Sequence, residues 1–201
     1  MNAETPAGIL RFWFGDEPRS AATSPDCARL WWSKQPMVDA AMRDRFGPWV
    51  ERAGAGALDD WAATPEGRLA LILLTDQFPR NIHRGTPASF ALDPRARAWC
   101  REGLATGAFD TLLPIQRLFA YLPLEHSESL YDQDRCVGLM QGLRAEARAA
   151  ERSAYDGFVD YAERHREVIR RFGRFPHRNV VLGRESTAEE QAFLQTPGSS
   201  F

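Results

Sequence analysis

Residues 64–76 have the sequence TPEGRLALILLTD, and this stretch decides the fold class. Thr64 followed by Pro65 is typical of a helix start, with threonine as the N-cap and proline at the first helical position. The turns that follow carry leucine, alanine and isoleucine on every side, so the helix has no face suited to water. We therefore expect this helix to be buried at the centre of a helical fold.

The same start signals recur along the chain. Proline precedes several further apolar stretches, at Thr5-Pro6, Ser24-Pro25, Pro36, Asp93-Pro94 and Pro114. No stretch bounded by turns alternates strictly between apolar and polar residues, so no sheet is predicted. The sequence therefore predicts an all-α fold, an antiparallel helical array of about eight to nine helices joined by short loops.

Three local motifs predict where particular helices begin or break. Pro48 lies inside the third predicted helix and is expected to kink or break it, because proline lacks the backbone N–H. Ser153 and Asp156 have the spacing of a capping box, although aspartate replaces the usual glutamate or glutamine. Thr187 and Glu190 have the same spacing with the usual residues, and they predict the start of a short last helix.

Length and composition favour one domain. The chain has 201 residues, of which 44% are hydrophobic and 26% charged, and this suits a sizeable core. No shift in composition marks a second unit, so residues 1–201 are predicted to form a single helical domain. The tail from about residue 196 contains proline, glycine and serine and is expected to be flexible.

Charge and cysteine content bear on partners and location. The formal net charge of −2 gives no electrostatic reason to expect nucleic acid or an anionic membrane as a partner. The three cysteines form no closely spaced pair, which favours a reducing compartment. The first residues carry no secretory pattern, and the longest apolar run, 69–74, is too short to span a membrane. We therefore expect a cytoplasmic protein.

The segment DQFPRN at 76–81 places a carboxylate at the end of the most apolar helix. Asp76 follows Leu73 at helical spacing, so its side chain is expected on a buried face. A buried carboxylate requires a partner or takes up a proton. One interpretation is a structural pair of Asp76 with Arg80 that closes the turn. The other is a functional site, in which Asp76, Arg80 and Asn81 hold a ligand or Asp76 acts as a base.

The segment LPLEHSE at 122–128 carries two further carboxylates. Glu125 and Glu128 are three residues apart and are predicted to share a helix face, whereas His126 lies about 100° away and points elsewhere. Two carboxylates on one face can bind a cation or divide acid and base roles, so both are candidate catalytic residues. Alternatively both pair with arginines that hold helices together, since no second carboxylate–histidine element completes a di-metal set.

Basic and imidazole groups provide the remaining candidates. His165 lies on the apolar stripe of a long predicted helix and is either a hydrogen-bonded core residue or an acid–base group. The segment RFPHRN places Arg174, His177, Arg178 and Asn179 in a turn that follows this helix. Such a turn suits a carboxylate or phosphate ligand, or it serves to cap the helix end.

Several familiar catalytic motifs are absent from the sequence. The chain contains no Walker loop and no GxGxxG, HExxH or GxSxG pattern. Its four histidines, at positions 83, 126, 165 and 177, are too scattered for a recognisable metal site. We therefore predict no metal and no cofactor.

Several short motifs resemble a known bacterial family. They are FWFG at 12–15, WW at 31–32, GRLAL at 67–71, DQFPRN at 76–81, LPLEHSE at 122–128, HR at 165–166, RFPHRN at 174–179, LGREST at 182–187 and PGSSF at 197–201. Together they cover nearly the whole chain, and they resemble the family called domain of unknown function 924. The resemblance implies an all-α fold similar to tetratricopeptide-like helical arrays. It implies no activity, substrate or cofactor.

Three functions are compatible with these residues. The first is a soluble helical binding module with a polar pocket for an anionic small molecule or peptide. Its candidate ligand-binding residues are Asp76, Arg80, Asn81, His126, Arg174, His177, Arg178 and Asn179. The second is an enzyme in which Glu125, Glu128 and His165 perform acid–base or metal-assisted chemistry. The third is a protein-interaction scaffold, in which the polar motifs only stabilise turns.

Overall fold

The computed structural model describes residues 4–199, which fold into α-helices joined by short loops and single turns of 3-10 helix. The α-helices are α1 (Pro6–Phe14), α2 (Pro25–Trp32), α3 (Pro36–Gly54), α4 (Pro65–Thr75), α5 (Gln77–Ile82), α6 (Asp93–Thr106), α7 (Pro114–Glu125), α8 (Leu130–Glu146), α9 (Arg152–Phe172) and α10 (Ala188–Leu194). With α4 and α5 counted as one element interrupted at Asp76, the described residues form nine helices and no strand. The predicted all-α array is confirmed.

The helix starts predicted from the sequence are present. Thr5, Ser24 and Thr64 each precede a proline, and each side chain accepts a hydrogen bond from the backbone N–H three residues later. Thr187 and Glu190 form a reciprocal capping box, with N–H···O distances of 3.2 and 2.8 Å. These caps satisfy backbone donors that the first turn of a helix leaves without partners.

Two local predictions are wrong. Of the kink or break expected at Pro48, the break does not occur, because α3 continues to Gly54 and buries Phe46 and Val50 on both sides of the proline, while the kink stays a prediction. Packing of this face offsets the hydrogen bond that proline cannot make. The expected capping box at Ser153 is also absent, since α9 begins one residue earlier, at Arg152.

Helix α4 forms the centre of the core, as predicted. Every residue from position 67 to position 75 is buried, and α4 contacts α1, α3, α6 and α7. Aromatic side chains surround it, with the rings of Trp13 and Phe78 at 5.4 Å and those of Trp13 and Phe119 at 5.5 Å. Each fully buried side chain of this size contributes about 1.5–3 kcal/mol relative to exposure.

Three helix ends meet beside this core and position the candidate site. Helix α4 ends at Asp76, whose backbone turns the chain into the short α5. Helix α7 ends at Glu125, and its interior Pro123 lies in the last turn. Helix α9 ends at Gly173, whose positive φ of 68° is a conformation that glycine adopts without strain. The polar residues of interest therefore lie at the end of α7, in the short α5 or after α9, and His165 lies within α9.

Other sequence predictions concern the tail, the architecture and the membrane. The flexible tail from about residue 196 stays a prediction, because Ser200 and Phe201 lie outside the described residues, while Ser199 is buried and donates to the carbonyl of Leu194. The single-domain organisation and the likeness to tetratricopeptide arrays also stay predictions. Within the described range, no helix has the length and apolar character needed to cross a membrane.

Candidate functional site

A cavity of about 570 Å³ lies between the ends of α4, α7 and α9 and the residues that follow α2. Its apolar wall consists of Trp31, Trp32, Phe90, Leu122, Phe158 and Tyr161. Its polar wall contains seven of the residues singled out in the sequence, which are Arg80, Asn81, Glu125, His126, His165, His177 and Arg178. The fold thus brings together side chains from distant segments around one enclosed space.

Asp76 lies directly behind the polar wall and is 1% exposed. Its Oδ1 accepts from Arg80 Nη2 at 3.0 Å and lies 2.7 Å from His126 Nδ1, while its Oδ2 accepts from Gln77 Nε2 at 2.5 Å. Burial alone raises the pKa of Asp76, but its contacts with His126, Arg80 and Gln77 outweigh burial, so this pKa lies below its usual range. Asp76 is therefore an ionised acceptor.

The ring of His126 is oriented by this carboxylate. Burial and the charge of Arg80 lower the pKa of His126, although Asp76 opposes them, so the imidazole is neutral at pH 7. Because ionised Asp76 only accepts hydrogen bonds, the proton of the neutral ring lies on Nδ1 and is donated to Asp76. The lone pair is then on Nε2, which has no hydrogen-bond partner in the described part of the chain.

Two buried arginines share the carboxylate of Asp93. Arg80 Nη2 donates to Asp93 Oδ1 at 2.8 Å, and Arg178 Nη1 lies 3.4 Å from Asp93 Oδ2. Arg178 Nη1 also donates to the carbonyl oxygen of His126 at 3.1 Å. Burial raises the pKa of Asp93, while Arg80 favours its charged form. The arginines are therefore held close together by groups that also hold His126.

The guanidinium of Arg178 lies between two aromatic rings, 4.7 Å from the centroid of Phe90 and 4.4 Å from that of Phe175. Burial lowers the pKa of Arg178 to about 10, so the group keeps its charge at neutral pH. The Nε atoms of Arg80 and Arg178 are buried without a hydrogen-bond partner in the residues described. A buried donor without a partner is costly, and these two Nε atoms are not accessible from the cavity.

Glu125 is the second carboxyl group at the cavity, and it is 3% exposed. Its side chain makes no hydrogen bond within residues 4–199. His165 Nδ1 lies 3.8 Å from Oε1, but this nitrogen lies closer to the Tyr161 carbonyl oxygen, at 2.9 Å. Burial, assisted by the charge of Asp76, raises the pKa of Glu125 to about 8. Glu125 is therefore protonated at neutral pH and can donate a hydrogen bond into the cavity.

The two other histidines at the cavity are also neutral at pH 7. Burial lowers the pKa of His165 well below its usual value. Burial and the nearby Arg178 lower the pKa of His177 to about 4. The positive charge of the polar wall therefore comes from arginine and not from imidazole.

The prediction that Glu125 and Glu128 share a helix face is wrong. Helix α7 ends at Glu125, so the chain has left the helix before residue 128. Glu128 instead accepts from Arg184 at 2.8 and 3.0 Å and from the backbone N–H of Phe175 at 2.8 Å. His126 was expected to point elsewhere than Glu125, but both side chains line the cavity.

Two further candidates lie outside the cavity lining and bind the last helix. Arg174 Nε and Nη2 donate to Glu190 at 2.6 and 2.7 Å. Asn179 Nδ2 lies 3.0 Å from Ser186 Oγ, and its Oδ1 accepts from Arg184 Nε at 2.9 Å. These contacts are those expected if Arg174 and Asn179 only stabilise the turn that follows α9.

Sequence reasoning missed several cavity residues. Asp93 was recognised only as a helix start, because no local pattern shows that it lies between two arginines 13 positions before and 85 positions after it. Lys34 and Arg84 also line the cavity without a motif of their own, and Gln77, within the DQFPRN segment, was not singled out. The described residues also contain no group of three or more His, Cys, Asp or Glu side chains arranged to hold a metal ion.

The fold and the cavity define an all-helical protein with a largely apolar pocket closed on one side by arginine, imidazole and carboxyl groups. The family model described as "Bacterial protein of unknown function (DUF924)" matches residues 9–198, and the chain belongs to this family. A solved structure of a protein of unknown function from Agrobacterium tumefaciens is similar, at 37% sequence identity and a TM-score of 0.79, covering 94% of this chain and 96% of that one. No match was found among curated proteins.

Proposed function

We propose that the cavity binds a small organic anion with an apolar body, and specifically a monocarboxylate. The observation that carries this proposal is the pair of arginines, Arg80 and Arg178, at the polar wall of a pocket whose other wall is aromatic and aliphatic. Arg80 Nη1 and Arg178 Nη2 form no hydrogen bond with other described residues. Arginine presents its donors as a planar fork that matches a carboxylate.

The apolar wall supports an organic rather than an inorganic ligand. A volume of about 570 Å³ lies in the range of small-molecule sites and is far larger than a bare carboxylate requires. Trp32 and Phe158 lie 6.1 Å apart at this wall, and Trp32 is half exposed although it is large and apolar. An aromatic or aliphatic body placed here would remove this surface from water.

Charge balance supports one negative charge on the ligand. Four cations border the cavity, Lys34, Arg80, Arg84 and Arg178. Three of them are paired with carboxylates, because Asp76, Asp93 and Asp39 bind Arg80, Arg178 and Arg84. With Glu125 protonated, one positive charge remains, that of the exposed Lys34 at the cavity, and a monoanion balances it.

The proposal is tested by calorimetry and thermal shift at pH 7 with phenylacetate, indoleacetate and octanoate, each compared with its uncharged primary amide. We expect carboxylates to bind and to raise Tm, and the amides to bind at least tenfold more weakly. Arg178→Met keeps the length of the side chain and its contact with the rings but removes the charge. It should weaken carboxylate binding about tenfold to a hundredfold.

Arg164→Met is the matched control. Arg164 lies on α9, is half exposed and pairs with Asp160, away from the cavity. This variant should bind the carboxylates with unchanged affinity. Equal binding of acids and amides, or equal affinity of the Arg178→Met protein and the original protein, would contradict the proposal.

A further inference from the structure

We propose that the bound anion is a substrate and that the site hydrolyses an ester bond in it, with His126 as the general base toward water. This inference rests on the proposed function, since the carboxylate of the ester would be held by one arginine of the pair. It adds a chemical step that binding alone does not require. The groups that would perform the step are His126, Glu125 and the two arginines, which all border the same cavity.

The orientation of His126 is the first argument. The Asp76 Oδ1 atom lies 2.7 Å from His126 Nδ1, which fixes the tautomer and leaves the Nε2 lone pair as the proton acceptor. Asp76 also accepts from Arg80 and Gln77, so groups other than the imidazole help to hold this carboxylate in place. A carboxylate that orients a neutral imidazole is the arrangement by which a histidine becomes an effective base.

The nucleophile is water rather than a side chain. In the described residues, no hydroxyl or thiol group forms a hydrogen bond with His126. Ser127, the next residue, donates to Asp132 at 2.7 Å, and Ser89 at the cavity donates to the carbonyl of His83. The cavity has room for a water molecule beside an organic ligand.

The step is balanced in atoms and charge. His126 Nε2 takes a proton from water while the water oxygen bonds to the acyl carbon, and one guanidinium stabilises the resulting oxyanion. The acyl carbon–oxygen bond then breaks, and the leaving oxygen takes the proton of the Glu125 carboxyl group. The proton on His126 passes through water to the Glu125 carboxylate, which restores both groups. Ester and water give a carboxylic acid and an alcohol.

The charges around the cavity suit these reaction steps. The proton leaves water for His126 and stays in the cavity, so the net charge of the complex does not change when the oxyanion forms. Two arginines serve two roles, one for the carboxylate that the substrate already carries and one for the developing oxyanion. Glu125 is placed as the proton donor, because its carboxyl group has no other hydrogen-bond partner in the part of the chain that the structure describes.

The test uses the full chain and two chromogenic esters. The mono-nitrophenyl ester of glutaric acid carries one carboxylate, and nitrophenyl butyrate is its uncharged counterpart. We expect saturable release of nitrophenolate, with kcat/KM at least tenfold higher for the charged ester. Affinity is measured separately by calorimetry with the mono-nitroanilide of glutaric acid, an analogue whose amide bond is much harder to hydrolyse.

His126→Asn separates catalysis from binding. Asparagine can still donate to Asp76 but has no counterpart of Nε2, so kcat should fall about a hundredfold or more while the affinity for the nitroanilide stays within threefold. His83→Asn is the matched control, because His83 lies outside the cavity lining and should leave both quantities unchanged. Unchanged hydrolysis in the His126→Asn protein would overturn the assignment.

Two failures are distinguishable. If the nitroanilide binds but the charged ester is not hydrolysed faster than in buffer, the hydrolytic inference is overturned and the binding function stands. If neither the nitroanilide nor the simple carboxylates bind, the proposed function itself is overturned.

Discussion

Glu125 shows how one buried side chain links the stability of the fold to pH. Its pKa is raised to about 8 in the folded protein, above the ordinary glutamate value of about 4.3. Between these two values the folded state holds a proton that the unfolded state has lost. Stability from this group is therefore full below pH 4 and decreases as the pH rises toward 8.

We expect Glu125→Gln to stabilise the protein, most strongly near pH 8, by an amount on the order of a few kcal/mol. Glutamine has the same shape and stays neutral, so the decrease in stability between pH 5 and pH 8 should become shallower. Urea unfolding at several pH values measures both effects. If the free energies of unfolding of the two proteins change equally with pH, the pKa of Glu125 is not raised in the folded state.

Glu128→Gln is the contrasting change three residues along the chain. The pKa of Glu128 is lowered, because Arg184 and the backbone N–H of Phe175 outweigh its partial burial. Removing its charge at pH 7 should weaken these contacts and give no gain in stability. The two substitutions are chemically identical, so a difference in sign reflects the surroundings alone.

The sequence predicted the burial of Asp76 from helical spacing and offered a pair with Arg80 as one of two interpretations, and Arg80 Nη2 lies 3.0 Å from Asp76 Oδ1. It did not predict the contact with His126, which lies 50 positions away. The expectation that Glu125 and Glu128 share a helix face assumed that the helix continues to Glu128. A proline in the last turn gives no reliable signal of which residue ends a helix, and this error misplaced Glu128.

At the scale of the helices, sequence signals were correct where the contact they predict lies within a single turn. A threonine or serine cap satisfies N–H groups within its own turn, so Thr5, Ser24 and Thr64 marked real starts. Pro48 failed as a break signal because its cost is opposed by contacts between α3 and the rest of the core, which sequence spacing does not reveal. Where helix propensity and tertiary packing disagree, packing determines the structure.

Two glycines in long helices allow a matched test of packing. Gly103 lies in α6, and a Cβ atom there would overlap the buried ring of Phe109, whereas a Cβ atom at Gly142 in α8 meets no atom within 4 Å. Gly103→Ala should lower the free energy of unfolding by about 1–3 kcal/mol. Gly142→Ala should raise it by up to about 1 kcal/mol, because alanine favours the helix. Denaturant unfolding compares them, and equal effects would contradict this packing.

At the scale of the whole molecule, the segment that follows α9 is attached by other kinds of contact than the helices around the main core. Phe175 belongs to a small cluster with Val168 and Ile169, which is separate from the main core around α4. Most of the remaining attachment is polar, through Arg184 to Glu128 and through Arg178 to the His126 carbonyl. Segments with few apolar contacts open at lower free energy than the core.

This arrangement couples the proposed ligand to the C-terminal segment, because Arg178 belongs to both. In hydrogen exchange without ligand, we expect amides between residues 175 and 194 to exchange faster than those of α4. Phenylacetate at a hundred times its Kd should slow them about a hundredfold, since opening would release the ligand. In the Arg178→Met protein, whose affinity should be tenfold to a hundredfold lower, the same concentration should slow these amides only about twofold to tenfold. The contrary result is that these amides exchange at the same rate as those of α4. The segment would then open only when the core unfolds, and the predicted local opening would be wrong.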